Sequence, residues 1–160
     1  MEKTKIAIIS FCAVLTSWLG TLAIPVYILV ACNMIDYITG ITAACVTKEQ
    51  VSSYKSIVGI TKKVFMYLLI AIGVFVDTML QYMFNTIGIP ISLPFVVGCI
   101  VACWLVLNEM LSILENISDI GVPMPPFLMP LVERIKGSVE KKGEDIKDNI
   151  GKKEDLNGKG

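Results

Sequence analysis

Histidine is absent from this 160-residue chain, which excludes a histidine general base, a histidine-bearing zinc site and a histidine proton shuttle. Charge is also scarce, because only 18% of the residues are charged whereas 54% are hydrophobic, and the mean hydropathy is +0.70. Asp36 is the only acidic or basic residue from Ile6 to Val46, and residues 64–133 contain no lysine or arginine. Apolar stretches of this length span membranes, so the chain is not an ordinary water-soluble domain.

Catalytic or metal chemistry has little support in the sequence. All five cysteines lie inside the apolar stretches, where thiols pack as small hydrophobic groups and oxidants rarely reach them. We therefore expect no disulfide, no metal and no other cofactor, and the lack of a catalytic constellation argues against an enzyme. Nucleic acid is not an expected partner either. The cysteines are Cys12, Cys32, Cys45, Cys99 and Cys103.

The apolar runs predict an all-α integral membrane protein. They place four transmembrane helices at about residues 6–22, 24–46, 64–84 and 93–114. The first run is barely long enough to cross a thinned bilayer. Gly20 and Pro25 separate it from the second run, and Pro25 suits the first turn of a new helix, where a missing N–H costs nothing. The alternative is one kinked helix from residue 6 to about residue 30, which leaves three spans.

Two regions follow from these runs: a transmembrane domain over residues 1–120 and a polar region over residues 121–160. Pro123 and Pro125 are expected to stop the last transmembrane helix, because proline blocks helical continuation. Beyond them, apolar residues recur at a spacing of four among charged ones, which predicts an amphipathic helix that frays from Gly143 into a flexible charged tail. The recurring apolar residues are Leu131, Ile135, Val139, Ile146 and Ile150.

Lysines close to the ends of the spans predict the orientation, because basic residues near a transmembrane helix stay on the cytoplasmic side. The N-terminal segment, the loop between the second and third spans and the C-terminal region all carry lysines. Four spans with both termini in the cytoplasm satisfy this distribution, whereas three spans leave one basic terminus outside. The lysines of the middle loop act in this interpretation as topology determinants or as contacts to anionic headgroups. They are Lys48, Lys55, Lys62 and Lys63.

Three carboxylates lie within the predicted spans, where no basic residue of the same segment can pair with them: Asp36, Asp77 and Glu109. A charged acid at the bilayer centre costs about 2.5–3.5 kcal/mol on insertion scales, so each helix should turn its acid away from lipid. Each acid shares a helix face with small or polar residues, which suits either a helix-packing seam or the water-facing wall of an oligomer. The residues of the three faces are Asn33, Asp36 and Gly40 on the second span, Gly73, Asp77 and Gln81 on the third, and Glu109, Ser112 and Asn116 on the fourth.

Five short motifs follow one another along the chain. They are Asp36-Tyr-Ile-Thr-Gly40, the loop from Ser52 to Lys63, Asp77, Asn108-Glu-Met-Leu-Ser-Ile-Leu-Glu-Asn116 and Gly121-Val-Pro-Met-Pro125. In this order they resemble the toxin-secretion and phage-lysis holin family, over about residues 25–130. Each motif is short, and the resemblance rests on the ordered set.

The resemblance implies that the chain is a holin of the bacterial cytoplasmic membrane, which assembles with copies of itself into a lesion. Its expected partners are therefore the lipid bilayer, further copies of the chain, and an endolysin or large toxin that passes through the lesion. The polar residues of the three faces are then assembly or pore-facing positions. The alternative functions are a small membrane transporter or channel, and a scaffold or antiholin that regulates another holin.

Overall fold

The computed structural model of the chain describes residues 2–48, 53–89 and 94–157. This part of the chain consists of five α-helices and one short 3-10 turn, so the all-α fold predicted from the sequence is confirmed. The helices are α1 (Glu2–Leu19), α2 (Ala23–Thr47), α3 (Ser53–Thr86), α4 (Val96–Ile120) and α5 (Leu128–Asn157).

Helix α4 lies at the centre of the fold, and α2, α3 and α5 all pack against it. Small residues such as Gly98 and Ala102 are buried on α4 and let neighbouring helices approach closely. Helix α2 runs parallel to α4, whereas α3 and α5 run antiparallel to it. The apolar core between α2, α3 and α4 consists of Leu22, Leu29, Cys32, Ile70, Ala102, Leu105 and Val106.

The first apolar run is divided from the second by a turn at Gly20. Gly20 has a φ of +53°, a left-handed conformation that favours glycine, and it opens the 3-10 turn Gly20–Leu22. Pro25 follows in the first turn of α2, where the sequence predicts it. Thr16 Oγ1 lies 2.8 Å from Tyr27 OH across the bend. Because a straight helix separates residues eleven positions apart by about 16 Å, this contact requires the chain to turn.

Three helical segments in the described part of the chain are long and apolar enough to cross a membrane. They are Gly20–Thr47, Ile57–Thr86 and Val96–Ile120. The predicted N-terminal span is not among them, since the 18 residues of α1 include Glu2, Lys3 and Lys5. The outward faces of α2 and α3 are apolar and exposed, as at Met34 and Phe75. Water-soluble proteins rarely expose apolar surface so extensively, whereas a helix in lipid does.

Helix α3 begins earlier than the sequence predicts. The expected loop from Thr47 to Lys63 is helical from Ser53 onward. Helix α2 ends on its C-cap Lys48, whose φ of +57° is left-handed. Lys62 and Lys63, at the end of this segment, are therefore both helical, and their side chains point to different sides of the helix. Lys62 is exposed, as is Lys48, whereas Lys63 is turned toward α2 and α4. The side chain of Lys55 lies outside the described residues.

Helix α4 begins at Val96 and continues to Ile120, beyond the predicted end at residue 114. Gly121 terminates it with a φ of +86°, and its N–H donates to the carbonyl oxygens of Ile117 and Ser118. Pro123 and Pro125 lie in the non-helical segment that follows. The helix thus ends on a glycine cap, two residues before the first proline.

Helix α5 differs from its prediction in extent and in the face it buries. It continues through Gly143 to Asn157, and oppositely charged residues four apart, such as Lys141 and Asp145, favour this continuation. Val132 is only 3% exposed and packs on α4, whereas Leu131 is 46% exposed. The predicted stripe is therefore displaced. Ile135 is exposed like Leu131, whereas Val139 packs against α4, and the side chain of Ile150 lies outside the described residues.

Candidate functional site

A polar network fills the space between α2, α3 and α4 near the middle of α4. At its centre Lys63 Nζ donates hydrogen bonds to Asn33 Oδ1 at 3.1 Å and to Asp36 Oδ2 at 2.8 Å. The same ammonium group donates to Glu109 Oε2 of α4. Its three protons thus meet three acceptors on two neighbouring helices, which is the full hydrogen-bonding capacity of a lysine side chain.

Amide and hydroxyl side chains extend this network on both sides. Asn33 Nδ2 donates to Tyr67 OH at 2.9 Å, which joins α2 to α3 a second time. Asn116 Nδ2 donates to Asp36 Oδ1 at 3.0 Å and to Thr39 Oγ1 at 3.2 Å, which joins α4 to α2. Each of the three helices therefore contributes at least two polar side chains to one connected set.

The charges of the network compensate one another only in part. Lys63 lies between two carboxylates, so the cluster carries one net negative charge when all three groups are ionised. Glu109 is 4% exposed, and the side chains of Lys63 and Asp36 are also largely shielded. Across the described residues, every buried side-chain nitrogen and oxygen has a hydrogen-bond partner. A fully satisfied polar network of this kind rigidifies a core and specifies how its helices pack.

The cleft between α2 and α3 is apolar toward the other end of the helices. There it contains a cavity of about 490 Å³, which is lined almost entirely by hydrophobic side chains. Leu22 and Val26 line it from the α2 side, and Tyr67, Ile70 and Val74 line it from α3. Tyr67 therefore marks the boundary between the polar half and the apolar half of the cleft.

Asp77 is not part of this network but caps the beginning of α4. Its Oδ1 accepts the backbone N–H of Val97 and its Oδ2 accepts that of Gly98, both at 2.9 Å. These N–H groups belong to the first turn of α4, and Phe95, the residue before the helix, provides no side-chain cap of its own. The carboxylate of α3 thus performs the role of an N-cap residue for another helix.

The cap requires α3 and α4 to approach closely, and Gly73 permits it. A Cβ atom placed on Gly73 would lie 2.9 Å from Gly98 Cα and 3.1 Å from Gly98 N, which is too close for any residue with a side chain. Gly73 and Asp77 are one helical turn apart, so the glycine contact and the carboxylate cap form a single crossing point between the two helices.

The remaining residues of the predicted polar faces lie in different surroundings. Gly40 is beside the network, since a Cβ atom there would lie 3.6 Å from Asn116 Nδ2. Ser112 is half-buried on α4. Gln81 donates to Asn85 Oδ1 at 3.1 Å on an exposed part of α3 beyond the cap. The structure thus assembles Asn33, Asp36, Gly40, Glu109 and Asn116, and it places Gly73, Asp77 and Gln81 elsewhere.

Lys63, Tyr67 and Thr39 belong to the network but were not among the residues predicted for it. The sequence places Lys63 in the cytoplasmic loop, because it directly precedes an apolar run. A detectable signal was its spacing from Tyr67 and Ile70, which places all three on one face of a helix that begins before residue 63.

Replacing Asp77 by asparagine should lower the free energy of unfolding by about 1–3 kcal/mol, because asparagine has one acceptor oxygen and turns its NH₂ group toward a backbone donor. Unfolding by SDS in mixed micelles, followed by circular dichroism, measures the change. The matched control is Asp119→Asn, which alters an exposed acid near the opposite end of α4. Equal stability of the Asp77→Asn protein and the parent would contradict the cap.

Three apolar helices with a satisfied polar network between them define a multi-pass membrane protein. A model of the bacteriophage holin family matches residues 13–137. An uncharacterized protein of Halalkalibacterium halodurans is 34% identical over 122 residues, which cover 76% of this chain and 85% of that protein. An uncharacterized 14.9 kDa protein in the nagH 3′ region of Clostridium perfringens is 30% identical over 134 residues, which cover 82% of this chain and 91% of that protein. No solved structure matches the chain significantly.

The chain belongs to the bacteriophage holin family. The matched residues contain α2, α3 and α4 completely and the first part of α5. They therefore include the whole polar network, the Asp77 cap and the part of α5 around Val132 that packs on α4. The family resemblance predicted from the short motifs is confirmed, and the chain is a holin-like membrane protein.

Proposed function

We propose that this protein is a holin, which collects in the bacterial cytoplasmic membrane and assembles with copies of itself into a lesion. The lesion releases a cytoplasmic endolysin or a large toxin. The observation that carries the proposal is the network of Lys63, Asp36 and Glu109, which keeps charged groups inside the membrane-spanning part of the chain. Buried charge of this kind is expensive in lipid and is usually tied to function.

The proposed topology has four spans, because α1 is added to the three apolar segments described above. Both termini then lie in the cytoplasm. The lysine distribution supports it, because Lys3, Lys5 and Lys48 then lie on the cytoplasmic side. The helix directions agree with it: the end of α2, the beginning of α3 and the end of α4 meet at one side of the fold. The other side carries the turn near Gly20 and the connection around Gly88, which have no lysine or arginine.

The network supports a mechanism in which the monomer is closed and the assembly is open. Helices α2 and α3 pack mainly on α4, and Lys63 and Tyr67 join α3 to α2 across the cleft. Contacts between copies that draw α2 away from α3 break these bonds. In lipid the freed charges have no partner, whereas water inside a large assembly solvates them. The charges therefore oppose opening in isolated molecules and permit it once many copies enclose water.

Expression together with an endolysin that lacks a secretion signal should cause an abrupt fall in optical density after a delay. The delay is expected because lesions form only when the protein has reached a sufficient density in the membrane. Optical density, dye entry and a membrane immunoblot, recorded from the same culture, measure the effect. Cells that stay impermeable to both endolysin and small dyes at high membrane levels would contradict the proposal and favour a scaffold or antiholin. Dye entry without endolysin release would favour a channel or transporter.

Asp36 variants separate a role in lysis from a role in folding. Asp36→Asn and Asp36→Leu both leave Lys63 paired with Glu109, so the network keeps a balanced ion pair and the protein should accumulate normally. Leucine removes the acceptors of Lys63 and Asn116 and should abolish lysis or strongly shift its timing, whereas asparagine retains one acceptor and should act more mildly. Unchanged timing for a normally abundant Asp36→Leu protein would remove Asp36 from the functional residues.

A further inference from the structure

Helix α5 packs antiparallel along the part of α4 that is apolar enough to span a membrane. Val132 joins a buried cluster with Leu107 and Leu114 of α4. Further along, Trp104 Nε1 donates to Glu140 Oε1 at 2.7 Å, and Lys136 Nζ lies 5.4 Å from the centre of the Trp104 ring.

The contact continues almost to the beginning of α4. A Cβ atom placed on Gly143 would lie 3.8 Å from Ile100 Cγ2. The two helices thus form a hairpin whose α5 arm covers α4 from about Leu114 back to Ile100. Helix α5 has 30 residues and a length of about 45 Å, so its end extends past the beginning of α4.

The outward face of α5 cannot lie in lipid. It carries exposed charged residues of both signs at both ends of the contact with α4, and α5 is not among the segments able to span a membrane in the described chain. Each such charge is costly in hydrocarbon, and several together prevent insertion of the docked hairpin into a bilayer as an isolated unit. The exposed charged residues include Glu133, Arg134, Lys141, Lys142, Glu144 and Asp145.

We propose that α5 docks on α4 in the assembled lesion, where its charged face forms the wall of the water-filled opening. This inference rests on the proposed function, because only an assembly of many copies supplies water at that depth. In the isolated monomer α2, α3 and α4 keep the closed packing, but α5 is undocked, with its apolar face on the cytoplasmic surface of the membrane and its charges among water and headgroups. The non-helical segment from Gly121 to Phe127 connects the two arms and allows α5 to change position.

A crosslink between the two arms reports docking directly. The native cysteines are replaced, and cysteines are introduced by Ile100→Cys and Gly143→Cys. The purified protein is reconstituted into phosphatidylglycerol and phosphatidylethanolamine vesicles at increasing protein-to-lipid ratios, and a short bis-methanethiosulfonate reagent is added. The expected result is loss of the intramolecular crosslink at low density and its appearance at high density. The control pair Ile100→Cys and Asp145→Cys should stay uncrosslinked, since residue 145 lies on the opposite face of α5.

Crosslinking that is equal at all densities, or absent at all of them, would overturn the proposal. The same variants are tested for endolysin release in cells, so that failure of the lesion itself is seen separately from failure of docking. Normal lysis without the crosslink rejects the role of α5 alone, whereas density-dependent crosslinking without lysis rejects the proposed function.

A second variant tests docking through lysis. Val132→Asp places a charge in the seam between α5 and α4, and it should abolish lysis while membrane abundance is retained. Ser138→Asp adds the same charge to the exposed face and should lyse on the normal schedule. Normal lysis by the Val132→Asp protein would contradict a docked α5 in the lesion.

Discussion

Replacement of Lys63 by methionine should lower the free energy of unfolding by about 3–5 kcal/mol, because removal of one partner from a buried ion pair leaves the other partner uncompensated. Here two acids lose their partner at once, since Asp36 and Glu109 both accept from the same ammonium group. Methionine retains the unbranched apolar part of the lysine side chain, so packing changes little. SDS titration in mixed micelles measures the stability, and a membrane immunoblot measures the abundance in cells.

Two companion variants assign the effect to the network. Lys62→Met removes the same charge from the neighbouring exposed position and should be nearly neutral. The triple variant Lys63→Met, Asp36→Asn, Glu109→Gln removes all three charges and should recover most of the stability, because a buried pair replaced as a unit is often tolerated. If Lys62→Met and Lys63→Met had equal effects, Lys63 would face water and the network would be wrong.

The inward orientation of the intramembrane acids could be predicted from the sequence, because the cost of charge in lipid is nearly independent of the fold. The shared helix face of Asn33 and Asp36 and that of Glu109 and Asn116 were visible as spacings of three and seven residues. In the structure these two faces meet, and Asp36 bonds directly to Asn116. The sequence pattern predicts each polar face. The pairing of one face with another depends on the packing of α2 against α4.

The partner of the acids could not be predicted in the same way. The sequence pattern assigns Lys63 to a loop, since positively charged residues beside an apolar run normally mark the edge of the membrane. Its assignment changes because α3 begins at Ser53, eleven residues before the predicted start of the span at residue 64, so that Lys63 is already one of its inner positions. A long, flexible lysine side chain can also extend along the helix to a distant acceptor. Sequence spacing does not reveal such an interaction between helices.

The buried face of α5 likewise could not be predicted from the sequence alone. The spacing of four predicts an amphipathic helix with Leu131 and Ile135 on its apolar face; the structure has the helix but buries Val132 instead. The exposed pair lies beside the buried seam, so the sequence contains a wider apolar stripe than one neighbour covers. The contact with α4 determines which edge of the stripe is buried, and only tertiary packing supplies that information.

The substitution Gly73→Ala should destabilise the protein by about 1–3 kcal/mol, because the added methyl group would overlap the backbone of Gly98 and force α3 and α4 apart. The separation also draws Asp77 away from the N–H groups that it caps. The atoms that the methyl group would overlap belong to the backbone of Gly98 and cannot rotate away as a side chain can, so the two helices themselves must move. SDS unfolding in mixed micelles measures the loss, and a larger residue such as leucine at the same position should abolish accumulation in the membrane.

Two other glycines provide a graded comparison within the same fold. A methyl group on Gly98 would meet Val74 Cγ2 at 3.1 Å, and a valine side chain can shift, so Gly98→Ala should cost less than Gly73→Ala. Gly59 has nothing within 4 Å of the added atom, and Gly59→Ala should stabilise α3 by about 0.4–1 kcal/mol through the lower entropy of the unfolded chain. The expected order of stability is therefore Gly59→Ala, then Gly98→Ala, then Gly73→Ala. Equal effects at the three positions would mean that α3 and α4 do not cross at Gly73, and the cap by Asp77 would then lack its structural basis.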